Sequence, residues 1–103
     1  MPEVYAIGSE LEALRIDIMA GEAESALPGV NERLAKIQDW WRRMRAGEAG
    51  LEAPDLEILA RTLIGALDIA REAHFALEQW DPALKRIDES LSVEQQLQRP
   101  QED

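Results

Sequence analysis

The chain has 103 residues, a net charge of −10 from 21 acidic against 11 basic side chains, and no cysteine. At this length it is expected to form one domain, whose core takes only about 60–65 % of the unfolded chain's surface out of water. The charge disfavours direct contact with nucleic acid or an anionic membrane, and without cysteine there are neither disulfides nor thiolate metal sites, which fits a reducing cytosol.

Aromatics make up only 5 % of the residues, so the core must be built from aliphatic knobs, as in packed helices, rather than from a β-rich surface. The first residues are acidic from Glu3 onward, with no basic-then-apolar leader, and no apolar run nears the ~20 residues that span a bilayer. A soluble, cytoplasmic protein is expected.

Ser9-Glu10-Leu11-Glu12 fits a capping box and opens the first helix, which carries Leu11, Leu14 and Ile18 on one side. It either stops at Gly21 or runs on to the break at Pro28-Gly29; the first is favoured, with a short second turn after it. The second helix is read from Pro28–Asn31 to Ala46-Gly47, with Val30, Leu34, Ile37, Trp41 and Met44 at three-four spacing. Arg42, Arg43 and Arg45 sit in its last turn, where the helix dipole favours cations.

Gly47 to Ala53 form a connector, and Pro54 with Asp55 and Glu57 makes a first turn for the third helix. Its stripe, Leu56, Leu59, Leu63, Ala66, Ala70, Ala73, Leu77 and Trp80, predicts a helix of roughly 40 Å. Gly65 costs about 1 kcal/mol in a helix interior, which points to a close helix crossing there. Asp81-Pro82 reads as an N-cap and first helical proline of a fourth helix with Leu84, Ile87 and Leu91 on one face. Residues 1–92 are therefore expected to be a single helical domain, and 93–103 a polar, frayed tail.

Two amphipathic helices joined by a short connector favour an antiparallel hairpin. The expected fold is thus all-α, a bundle of about four helices built on that hairpin. A second copy packing along the third helix, giving a homodimer, is one way to cover its length.

No segment carries a specific chemical motif. The single histidine, His74, lacks the His-x-x-Lys-Gly context of a phosphotransfer helix, since Leu77 and Glu78 stand at those places. A di-iron bundle needs Glu-x-x-His on two helices, and Arg71 precedes His74 by three. For a helical Arg-x(4–6)-His nuclease, Arg71 is too close and Arg61 too far. His74 is expected to be structural. The carboxylates sit at helix starts and on polar faces, with Glu32 to Lys36 and Glu57 to Arg61 in favourable i,i+4 order. No catalytic residue, metal site or cofactor is expected, and the chain is not read as an enzyme.

Trp40-Trp41-Arg42-Arg43-Met44-Arg45 departs most from the rest of the chain. It holds two of the three tryptophans, and Trp and Arg dominate binding hot spots. The leading expectation is a non-catalytic protein–protein interaction module, an adaptor, chaperone-like or assembly subunit, with Trp40, Arg42, Arg43 and Arg45 as partner-binding anchors. The bland reading is that Trp40 widens the core face and the arginines cap the helix. The alternative function is an acidic inhibitor of a nucleic-acid-binding protein, of the phage anti-defence type, with Glu10, Asp17, Glu22 and Glu24 as its charged surface. In the first thirty-two residues seven acidic side chains face only Arg15.

Overall fold

The computed structural model describes residues 2–45 and 53–98, which form four helices and no strand: α1 (Pro2–Met19), α2 (Ala23–Arg45), α3 (Ala53–Ala76) and α4 (Trp80–Gln98). The fold is a small all-α bundle with the α2–α3 hairpin at its centre. Asn31, early in α2, and His74, at the end of α3, line one cavity, so the two helices run antiparallel. α3 touches all three other helices, and α1 also packs on α2. Among the described residues α1 and α4 do not approach one another. The bundle measures 44 × 27 × 16 Å, with α1 lying against both helices of the hairpin and α4 against α3.

The two stripes form the core. Val30, Leu34, Ile37 and Trp41 of α2 meet Leu59, Leu63, Ala66, Ala70 and Ala73 of α3, all buried. Burying a Leu or Ile side chain contributes about 1.5–3 kcal/mol, so the fully enclosed Leu34, Ile37, Leu59, Leu63 and Leu67 dominate its stability. Met44 and Leu77 pack against the edge of the cluster. Trp41 also donates its indole N–H to Gln96 Oε1 of α4 at 3.2 Å. Leu56 and the connector from Gly47 lie outside the residues whose side chains are described.

Several boundaries differ from the sequence reading. α1 starts at Pro2, not Ser9: Val4, Ile7, Leu11 and Ile18 form one buried row, and Ser9 is an exposed residue within it. The stop at Gly21 holds, with φ +92°. The Glu22 N–H reaches Asp17 O at 2.9 Å and the Gly21 N–H reaches Ile18 O at 3.0 Å, the double closure of a Schellman motif. α2 then begins at once, because the Ala26 N–H bonds Glu22 O at 3.0 Å and Ala23 and Ala26 extend the buried row. Pro28 thus stands in the second turn instead of the first. The bond it cannot donate leaves only the carbonyl of exposed Glu24 to water.

The third helix ends at Ala76, not Trp80. Glu78 takes a left-handed φ of 59°, the Gln79 N–H bonds His74 O at 2.8 Å and the Glu78 N–H bonds Phe75 O at 3.0 Å, a second Schellman closure with a non-glycine residue at its left-handed position. α4 is capped by Gln79, whose carbonyl accepts the Ala83 N–H at 3.2 Å, so Asp81 and Pro82 fall inside its first turn. α4 also continues past Ser92 to Gln98, because Val93 is buried and Gln96 ties to Trp41; only residues 99–103 of the expected tail lie outside the described part. Gly65 does not mark a tight crossing, since a Cβ there would meet nothing within 4 Å.

Candidate docking face

α4 packs the opposite way from what its large apolar residues suggest. Its buried positions are Ala83, Ser90 and Val93, while Trp80, Leu84 and Leu91 are 55 %, 56 % and 50 % exposed and Ile87 is half-buried. The spacing 80, 84, 87, 91 follows the four-three-four rhythm of a helix–helix seam. At 100° per residue this seam lies roughly 100° around α4 from the buried row.

The seam continues onto α3. The rings of Phe75 and Trp80 meet at 5.7 Å between centroids, tilted by 48°, a favourable aromatic geometry. Ile64, three helical turns before Phe75 on the same side of α3, packs against the core and is separated from Phe75 by Asp68 and Arg71. The result is an apolar seam of five residues, Phe75 at the end of α3 followed by Trp80, Leu84, Ile87 and Leu91 along α4.

Carboxylates rim this strip. Asp68 sits between Ile64 and Phe75 on α3, while Asp81 and Asp88 follow the seam on its solvent side. None of the three has a hydrogen-bond or ion-pair partner among the described residues. Of the nearby cations, Arg61 Nη2 lies 2.9 Å from Glu57 and Arg71 Nη2 lies 3.9 Å from Glu72, while Lys85 stands between Asp81 and Asp88 on α4. An apolar helix face with an acidic rim can hold an amphipathic helix whose flanks are basic. The signal for it was present in the sequence as Leu84, Ile87 and Leu91 on one face of the fourth helix, though the spacing does not say whether that face points inward or outward.

The residues singled out from the sequence fall elsewhere. Trp40 is half-buried and packs against the core. Arg42 and Arg43 both pair with Asp39, and Arg45 stacks over the Trp41 ring at 5.7 Å, so this cluster is joined internally at the end of α2. Glu10 accepts a 2.8 Å bond from Arg33 Nε, whose Nη1 donates to Gly29 O at 3.0 Å. Asp17, Glu22 and Glu24 are exposed around the α1–α2 corner, apart from Glu10. The Glu57–Arg61 pair forms, whereas Glu32 faces Arg33 at 3.9 Å instead of Lys36. Tyr5, Ile16 and Met19 are exposed on α1, but Ser9 and Glu12 interrupt them.

His74 is 6 % exposed and closes the end of α3, its Nδ1 2.7 Å from Gln79 Oε1. With the amide oxygen as acceptor, Nδ1 carries the proton. Among the described residues no group of three or more His, Asp or Glu is placed to hold a metal ion, and no helix is long and apolar enough to cross a membrane. No family model, curated protein or solved structure matches this chain.

Proposed function

We propose that this protein is a non-catalytic interaction module whose α3–α4 face receives a basic amphipathic helix of another protein. The observation that carries the reading is the inversion of α4, which buries small residues and exposes Trp80, Leu84 and Leu91 beside Phe75. Scattered apolar residues on a surface are ordinary, but a contiguous strip rimmed by polar groups marks an interaction site. The three unpartnered aspartates set the sign of the partner. A second copy fits less well, since it would bring a second chain of net charge −10 and the same aspartates against this rim.

The test uses a synthetic amphipathic helix with leucine on its seam and lysine on both flanks, beside a counterpart with glutamate flanks. Calorimetry is expected to show binding of the lysine peptide only, weakening as salt rises. Leu84→Asp should abolish that binding while leaving stability within about 0.5 kcal/mol of wild type, because Leu84 is solvent-exposed. Equal binding of both peptides, or full binding by the variant, would refute the assignment. So would sedimentation showing a dimer that Leu84→Asp dissolves, since the face would then belong to a second copy.

A second reading, charge mimicry toward a nucleic-acid-binding protein, draws on exposed and unpartnered Asp17, Glu22 and Glu24. Reversing Glu22 and Glu24 would abolish partner binding in that case and leave the lysine peptide's affinity unchanged in ours.

A further inference from the structure

On the other shoulder of α4, away from the apolar strip, a cavity of about 350 Å³ opens between three helices. Asn31 of α2, His74 of α3, and Asp81, Pro82, Lys85 and Arg86 of α4 line it. Its size lies at the small end of the range for ligand sites, which run from roughly 300 to 1,000 Å³.

In a protein of net charge −10, this cavity gathers Lys85 and Arg86, with Asp81 in its lining and Glu89 bonded to Arg86 beside it, so that the local charges balance. Lys85 has no hydrogen-bond or ion-pair partner among the described residues, and it is not held by Asp81 one turn earlier. Arg86 is mostly buried and is fixed by its Nη1 bond of 2.7 Å to Glu89, leaving its other guanidinium donors for something else. Asn31 adds an amide nitrogen that can donate, while its Oδ1, a buried acceptor without a partner, is left for a donor and not for the anion. His74 is held rigidly by Gln79. Fixed guanidinium, free ammonium and amide donors around a small concavity are what an oxyanion needs.

We infer that this cavity binds a small oxyanion, a carboxylate or phosphate group, on Lys85 and Arg86. Asp81 opposes it and limits the affinity. Because residues from α2, α3 and α4 all contribute, an occupant ties α4 to the hairpin and stabilises the fold by mass action. The cavity shares only Asp81 with the docking face, whose apolar residues do not line it.

The experiment is an NMR titration of the ¹⁵N-labelled full chain with sodium phosphate and, separately, sodium succinate, at constant pH and ionic strength. Saturable shifts are expected at the Asn31 side-chain amide and at the backbone amides of Asp81, Lys85 and Arg86. Saturation by phosphate alone, succinate alone or both supports the site and identifies the head group. Lys85→Ala should weaken binding about fivefold, the scale of one exposed ion pair, and Asp81→Asn should tighten it. Lys36→Ala removes the same charge from an exposed position elsewhere and should leave binding unchanged. Shifts that stay linear through millimolar concentrations with both anions would overturn the inference. Unchanged affinity in Lys85→Ala, or an equal loss in Lys36→Ala, would do the same.

Discussion

Gly65→Ala offers a direct check on how α1 and α3 meet. Gly65 lies in the middle of α3, and a Cβ built there finds no neighbour within 4 Å. The methyl therefore adds helix propensity without a clash, a gain of about 1 kcal/mol. For a chain of this size, with a urea m-value of about 1.5 kcal/mol/M, the midpoint should rise by roughly 0.7 M at unchanged m. Gly29→Ala is the counterpart. Its Cβ would stand 3.3 and 3.4 Å from the Leu14 methyls and 3.4 Å from Arg33 Nη1, so the same propensity gain is offset by pushing the side chain of half-buried Leu14. Urea unfolding followed by circular dichroism at 222 nm should place Gly65→Ala above wild type and Gly29→Ala below Gly65→Ala. A fall in midpoint for Gly65→Ala would mean that α1 and α3 pack more closely than the structure has them, and would refute the reasoning.

Glu78→Gly should stabilise the chain by about 1 kcal/mol, since the left-handed φ of 59° strains any residue with a Cβ; an unchanged melting temperature would show that the turn relaxes in solution. Trp40→Ala should cost about 2 kcal/mol in denaturant unfolding, less than the truncation of a fully buried tryptophan because Trp40 is only half-buried. An unaltered stability would place its ring in solvent and return it to the role of an exposed binding anchor.

The central hairpin was legible because α2 and α3 separate polar from apolar residues cleanly: Val30, Leu34, Ile37 and Trp41, and Leu59 through Ala73, are buried as their spacing requires. α1 was read too short because Ser9 and Glu12 imitate a cap, while Val4 and Ile7, at the same spacing as Leu11, lie on the earlier side of it. For α4 the spacing placed Leu84, Ile87 and Leu91 on one face but not which way that face points. What decides its orientation is long-range: Ala83 and Ser90 allow close approach to α3, and Gln96 meets an indole N–H 55 residues earlier. No local periodicity encodes that contact. The end of α3 was overrun because Glu78 occupies a position where glycine would have announced the stop.

The separation of α1 from α4 divides the labour of stability within the molecule. Each outer helix leans on the hairpin, and neither supports the other. An opening of α4 removes Ala83, Ser90 and Val93 from contact but leaves the layer between α1, α2 and α3 in place, so the two edges can fluctuate on their own schedules. A partner gripping α4 therefore strengthens one edge of the bundle, and α1 feels that grip only as far as the shared hairpin transmits it.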